Sequence, residues 1–230
     1  MNGELKKSEL RKYYFRPAPF WERLPPSVWS ALQSVSQPLS YPKKFVIYTE
    51  GSHPHGLYII RKGRAKVYII NSDGVEQIIY FLGKDEVFGY RSIVCDEPSP
   101  VFVEAIDDCR LDCIPRAYFA QFLRESPELN AVFLNYLGYE FSVFVNKISV
   151  FAQKPVSQRV ALALLALKEK FHEEAALAFT RDDLARYVGT ATETLIRQLR
   201  VLKDAGAIVT RGRKIWVEDA DKLWELARLT

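Results

Sequence analysis

The chain has 230 residues, 48% hydrophobic and 26% charged, with 32 basic against 28 acidic side chains and a formal net charge of +4. That balance suits one large or two modest folded domains and excludes a disordered or collagen-like chain. An excess of four charges does not by itself indicate a nucleic-acid partner, so their placement must decide. No apolar run approaches the ~18 residues that cross a bilayer. The first sixteen residues carry charge throughout and lack the apolar segment of a secretory signal. Three cysteines, an odd number, make no disulfide framework. The expected location is the cytoplasm, with no membrane partner.

Residues 44–114 read as strands. KFVIY, GLYIIRKG, RAKVYII, EQIIYFLG, VFVEAI and RLDCIP are short β-branched and aromatic runs, punctuated by Gly51, Gly56, Gly63, Gly74, Gly83 and Gly89. Short strands at this spacing predict a barrel or sandwich. Asp73-Gly74 is the strongest hairpin signal, because glycine accepts the positive φ of a tight primed turn. The period changes after Pro115. From Pro127 to Lys154, Leu129, Val132, Phe133, Tyr136, Leu137, Phe144, Ile148 and Phe151 recur at three- and four-residue spacing. This predicts one long helix with a wide apolar stripe. Phe133, Tyr136, Leu137, Phe144, Ile148 and Phe151 are too many for a β-domain to cover, so the helix is expected to pair with a second copy. Lys154-Pro155 ends it, since the residue before proline avoids the α region. The expected organisation is 1–126, an N-terminal segment and the strand-rich region; 127–154, the long helix; and 155–230, a C-terminal domain.

After a helix over VSQRVALALLALKEKF, Thr180 is placed to cap the next one, with Asp183 near its positive end. Residues 180–206 then read as helix, Gly189 turn, helix. Leu184, Ala185 and Val188 give the first helix its buried face. On the second, Leu195, Leu199 and Leu202 share one stripe. Glu193, Arg197 and Arg200 share another, about 200° away at ~100° per residue. One face is anchored, and the other presents a carboxylate, two guanidiniums and Thr192, which suits entry into a major groove. Arginine pairs with both guanine acceptors, and glutamate accepts from the cytosine amino group or orients Arg197. The run AIVTRGRKIWV follows as a hairpin with a basic tip at Arg211-Gly212-Arg213. Residues 195–214 hold Arg197, Arg200, Lys203, Arg211, Arg213 and Lys214 against one acid, Asp204, a local net of +5. Such a patch attracts phosphates through counterion release. The expected base readers are Thr192, Glu193 and Arg197. The expected phosphate contacts are Thr190, Arg200, Arg211, Arg213 and Lys214.

The order of these elements resembles the CRP/FNR superfamily of bacterial transcription regulators over nearly the whole chain. The most specific match is GTATETLIRQLRVLKDAGAI, in which Glu193, Thr194 and Arg197 stand where the family's base-reading residues stand. Thr192 occupies a preceding position where some members use arginine. The resemblance implies an α+β fold: an N-terminal β-roll like a cyclic-nucleotide-binding domain, a long dimerisation helix and a C-terminal winged helix-turn-helix. It implies a dimer on an inverted repeat of double-stranded DNA, RNA polymerase as a second partner, and a small-molecule effector that repositions the readers across a hinge near Lys154-Pro155. The cyclic-nucleotide pattern itself is broken. The glutamate that would follow Gly89 and hold the ribose is Tyr90, and the Arg-Ser that would hold the cyclic phosphate is Ser99-Pro100. Cyclic AMP is therefore not the expected effector. Gly89, Tyr90, Arg91, Ser92 and Ser99 line the expected pocket, with Arg91 a candidate substitute for the missing arginine. FGYRS followed by DEPSP is similar to the Bacteroidetes-type branch.

Other sensors are weighed on their own residues. Cys109 and Cys113 on one strand lie ~13 Å apart, beyond disulfide reach, and read as small apolar residues. Cys95 sits in a loop-like segment, open to redox chemistry. His53-Pro54-His55 offers two imidazoles to a metal or haem in principle, but such a pair across a proline in a glycine-flanked loop more often reads as a polar turn. His172 has no visible partner, and Glu173-Glu174 reads as a solvated pair. No Walker motif, Ser/His/Asp set or Cys-pair zinc spacing appears, so the sequence calls for no enzyme, metal or cofactor. A redox or haem regulator and a ligand-binding module without a DNA role remain as alternatives.

Overall fold

The structure is a computed structural model that describes residues 3–172 and 174–228. It divides into two compact units, residues 17–140 and residues 1–16 with 141–230. Glu173 lies outside the described residues.

The first unit is a β-roll of two four-stranded antiparallel sheets. One runs β1(Gln37–Tyr41), β8(Cys109–Pro115), β3(Gly56–Lys62), β6(Val87–Phe88). The other runs β2(Val46–Tyr48), β7(Phe102–Ala105), β4(Ala65–Ile70), β5(Glu76–Leu82). The six runs expected as strands are β2, β3, β4, β5, β7 and β8; β1 and β6 were not foreseen. Tyr58, Ile60, Val67, Leu82, Phe88, Val103 and Leu111 fill the space between the sheets. Each such buried side chain contributes ~1.5–3 kcal/mol. The Asp73-Gly74 hairpin exists, with Gly74 at φ +76°. Its loop is longer than a two-residue turn, because Asn71 Oδ1 accepts from the backbone amides of Asp73 (3.0 Å) and Val75 (2.8 Å) and so builds the turn from its own side chain. Helices α2(Pro26–Ser34), α3(Tyr90–Val94) and α4(Arg116–Glu125) complete the unit. Trp21 stacks on Trp29 (5.2 Å between centroids), Arg61 lies 4.9 Å over Trp21, and Phe20 meets Phe133.

The long helix is α5(Pro127–Gln153), ending one residue before the expected Lys154. Its stripe is two faces rather than one. Leu129, Val132, Phe133 and Tyr136 are buried, whereas Leu134, Phe141, Val145 and Ile148 are exposed, by 59%, 67%, 49% and 68%. The broad periodic pattern merged a core face with an open one.

The second unit contains α1(Gly3–Leu10), α6(Val156–Lys170), α7(Arg181–Val188), α8(Thr192–Asp204) and α9(Ala220–Ala227), with a small sheet ordered β10(Ile208–Arg211), β11(Lys214–Val217), β9(Leu177–Ala178). α6 is buried along Val160–Leu167. The N-terminal segment belongs to this unit: Lys6 pairs with Asp221, and Arg16 reaches His172 Nδ1 at 2.7 Å. His172 therefore has a partner, 156 positions away, that no local pattern could reveal. Lys154 Nζ donates to the carbonyls of Ala227 (2.9 Å) and Arg228 (3.3 Å), satisfying acceptors at the end of α9.

Candidate nucleic-acid interface

Local chemistry fixes the angle between α7 and α8. Thr180 Oγ1 accepts from the Asp183 amide (2.9 Å) and donates to Asp183 Oδ2 (2.6 Å), the expected cap. Gly189 ends α7 in the left-handed region at φ +71°, and a Cβ there would come within 2.8 Å of Phe151 Cε1. Both the conformation and the close approach require glycine. The Thr192 hydroxyl then donates to Asp182 Oδ1 at 2.8 Å, tying the start of α8 back to α7.

On α8, Leu195, Leu199 and Leu202 are buried as the spacing predicts, and Glu193, Arg197 and Arg200 are exposed. Arg197 Nη2 donates to Thr194 Oγ1 at 3.1 Å. In this structure Thr194 holds Arg197, whereas orienting Arg197 was one of two roles expected of Glu193, the other being to accept from cytosine; the i, i+3 spacing was the available signal. Ile196, 50% exposed, lies beside Arg197 and offers the apolar contact that suits a thymine methyl. Thr192, bonded to Asp182, acts here as a strut.

The wing has the expected form. Arg211 pairs with Lys214 across a two-residue turn of Gly212 and Arg213, with Gly212 at φ +56°. Arg211, Arg213 and Lys214 are exposed, and Thr190 is half-buried in the turn before α8. Two supports were not foreseen. Strand β9 pairs with β11. Arg181, the first residue of α7, donates to the carbonyls of Gly212 (2.9 Å) and Arg213 (3.3 Å), and burial lowers its guanidinium pKa. Arg181, Arg200, Lys203, Thr210, Ile196 and Leu199 line a cleft of about 380 Å³.

The expected effector residues are brought near one another but are largely engaged with the fold. Gly89 opens α3 at φ +88°, where a Cβ would meet the Gly56 carbonyl at 2.6 Å. Tyr90 is buried and donates to Glu140 Oε2 (2.9 Å); Tyr80 donates to Glu140 Oε1 (2.7 Å). Burial raises the Glu140 pKa, and the two hydroxyls oppose that shift. Burial pushes the Tyr48 pKa up, and the Ser99 side chain and the Gly89 backbone oppose that shift. Ser99 Oγ donates to the Val101 carbonyl at 2.8 Å. Ser92 is buried, its carbonyl accepting from Arg116 at 3.2 Å. Arg91 Nη2 turns to Glu97 (2.8 Å), while its Nη1 is buried without a hydrogen-bond partner among the described residues. Tyr58 stacks on Phe88 at 4.9 Å, with Tyr48 packed 6.0 Å from the same ring. Tyr48, Tyr80 and Glu140 were not singled out from sequence, because nothing in linear spacing places β2, β5 and α5 together.

Cys109 and Cys113 are buried on one strand, where burial pushes each thiol up to about 11. Cys95 is exposed, as are His53 and His55. Among the described residues no group of three or more His, Cys, Asp or Glu could hold a metal ion, and no helix is long and apolar enough to cross a membrane.

Residues 38–126 match the Cyclic nucleotide-binding domain family, and residues 158–226 match the Crp-like helix-turn-helix domain family. A CRP-like cAMP-activated global transcriptional regulator of Mycobacterium tuberculosis is 27% identical over 217 residues, covering 92% of this chain and 97% of its own. The fumarate and nitrate reduction regulatory protein of Escherichia coli is 26% identical over 187 residues, covering 79% of this chain and 74% of its own. The solved structure of FixK2 from Bradyrhizobium japonicum superposes with a TM-score of 0.79 at 24% identity, covering 85% of this chain and 99% of that one.

Proposed function

The chain belongs to the CRP/FNR superfamily of DNA-binding transcription regulators and is not an enzyme; from that premise we propose that it acts in the cytoplasm as a two-fold dimer on an inverted-repeat promoter site. The observation that carries the reading is the exposed face of α8, with Glu193, Arg197 and Arg200 opposite three buried leucines and beside a basic wing tip. In this reading Arg197 reads a guanine edge, with Glu193 and Thr192 beside it, and Thr190, Arg200, Arg211, Arg213 and Lys214 position the duplex on its phosphates. RNA polymerase is the expected second protein partner.

The dimer is proposed to pair along α5. Leu134, Gly138, Phe141, Val145 and Ile148 follow steps of four, three, four and three, the heptad seam of two helices packing at a shallow angle. Two such subunits would set their α8 helices one DNA turn apart, ~34 Å. Selection of bound duplexes from a randomised pool should return a palindrome, with retention that falls steeply between two salt concentrations. Recovery of no preferred sequence, with no salt dependence, refutes the reading.

The effector is proposed to be something other than cyclic AMP, although the Mycobacterium tuberculosis relative is described as activated by it. Supporting this, the ribose-holding carboxylate is replaced by Tyr90, which is turned to Glu140, and the Ser99 hydroxyl is already donated to the Val101 carbonyl. Pro100 has no amide to offer a phosphate. Arg91, through Nη1, keeps a donor for an anionic group, and Gly89, Tyr90, Ser92 and Ser99 would border the effector. Calorimetry with cyclic AMP and cyclic GMP should register no binding; a micromolar dissociation constant for either overturns this part.

A further inference from the structure

The basic cleft beside α8 has a consequence that rests on the DNA-reading role but names a new site within it. Successive three-residue steps on a helix rotate by about 300°, so Arg197, Arg200 and Lys203 climb α8 while each turns ~60° from the one before. Arg197 faces outward with Glu193, Arg200 lies at the margin of that face, and Lys203 lies on the flank toward the wing. There the cleft of about 380 Å³ opens, bounded by Arg181 from α7, Arg200 and Lys203 from α8, and Thr210 from β10, over Ile196 and Leu199. None of these lining residues is acidic. Arg181 spends two nitrogens on the Gly212 and Arg213 carbonyls, and among the described residues no ion pair at its guanidinium offsets the burial that lowers its pKa.

A helix ~10–12 Å across in a major groove ~12 Å wide meets base edges with its outermost face and the bordering sugar-phosphate strands with its flanks. We propose that this cleft is a phosphodiester-binding site. A duplex backbone phosphate enters between α8 and β10, paired with Lys203 and Arg200, with the Thr210 hydroxyl as a neutral donor. Arg181 adds positive potential and holds the wing strand in place as a positioning residue. Lys203 and Thr210 thereby join the phosphate contacts, and the wing is held to DNA along its strand as well as at its tip.

The test uses the full-length protein on its selected palindrome, with single phosphates replaced one at a time by uncharged methylphosphonate. At one or two positions flanking the base pairs read by α8, wild-type affinity should fall about fivefold, the loss of one charged contact. Lys203→Gln removes the contact from both half-sites, so on the unmodified duplex it should lose that factor twice over, about 25-fold, lower the salt slope by about two, and become insensitive to methylphosphonate at those positions while keeping the sequence preference. Thr210→Val should show the same insensitivity with the salt slope unchanged, because it removes a donor and no charge. Full methylphosphonate sensitivity in both variants, or wild-type affinity and slope in Lys203→Gln, overturns the site while leaving the regulator reading intact. A wild-type protein that selects no duplex overturns both.

Discussion

In the second unit, the side chains that would meet a partner stand outside a helix whose opposite side is core. Glu193, Arg197 and Arg200 face solvent, while Leu195, Leu199 and Leu202 hold the backbone that presents them. In the β-roll the polar groups expected to meet an effector are engaged with the fold: Tyr80 and Tyr90 with Glu140, and Ser99 with the Val101 carbonyl. A surface reader needs a fixed helical spacing and open space in front of it. An interior receptor needs unspent hydrogen-bonding capacity, and here most of that capacity is spent on the fold. The two units therefore differ in what a substitution should do: in the reader it should change binding with little effect on stability, and in the roll the reverse.

The largest expected effect lies on α5, where the two kinds of function share one helix. Phe141→Glu with Ile148→Glu places carboxylates on two exposed seam residues that support no core. Light scattering should report a monomer, and affinity for the palindrome should fall at least about 100-fold, because the second half-site loses its tethered reader. A dimer that persists at micromolar concentration would move the interface elsewhere.

Next comes the division within the reader. Arg197→Ala should cost ~1–3 kcal/mol per half-site and flatten preference at one symmetric base pair. Arg213→Ala should weaken all sequences alike and lower the salt slope by about one per half-site. Neither should move the thermal midpoint appreciably, since both side chains are exposed. If Arg197→Ala keeps the parental preference while Arg213→Ala loses it, the reading element is misassigned.

These residues were legible in the chain because their message is local. Thr180, Gly189, the leucine triplet and the Arg211-Gly212-Arg213 tip each follow from spacing within one or two turns, and the structure has them as expected. The six strands were legible from β-branched runs and glycines. Strands β1, β6 and β9 were not: β6 and β9 have two residues each, and β1 carries Pro38 and Ser40. The grasp of Arg181 on the wing, the reach of Arg16 to His172 and the triad at Glu140 join residues 31, 156 and 50 or 60 positions apart, and no periodicity encodes them. Misreading α5 had another cause. A core stripe and a seam both recur at three and four, so their sum looks like one broad face.

The roll supplies the opposite test. Tyr90→Phe removes one of the two donors to a buried carboxylate and should destabilise the protein by ~1–2 kcal/mol in denaturant titrations. DNA affinity at temperatures well below the transition should change less than about twofold. Tyr80→Phe should behave alike, and the double variant should cost less than the sum of the two, because Glu140, already raised by burial, then takes up a proton. A Tyr90→Phe protein of unchanged stability but altered DNA affinity would make Tyr90 a signalling residue and erase the contrast between the units.

The smallest effect concerns the interior of the reading unit, where a titrating group would blur that contrast. Lys147 lies 4.1 Å over the Tyr187 ring, beside a cavity of about 40 Å³ lined also by Tyr13, Phe151, Arg159 and Leu162. Burial, with Lys170 adding like-charge repulsion, lowers its pKa to about 7. Here the folded value lies below the unfolded one, so the penalty for burying the ammonium is complete below pH 7. It shrinks as pH rises from 7 toward ~10.4, where the unfolded chain also loses the proton. Stability should therefore gain from this group between pH 7 and 9. The gain should stay under ~1 kcal/mol per pH unit, because the side chain is only partly removed from solvent and can rehydrate its ammonium. Lys147→Met keeps the apolar stem over Tyr187 and removes the charge, so it should be more stable than the parent at pH 6 and converge with it by pH 10. The comparison is made by urea titrations of both proteins at four pH values. Parallel curves for the two would mean that Lys147 keeps a normal pKa through hydration or a compensating partner. Converging curves accompanied by a pH-dependent change in DNA affinity that Lys147→Met abolishes would place a second, interior control point inside the reading unit.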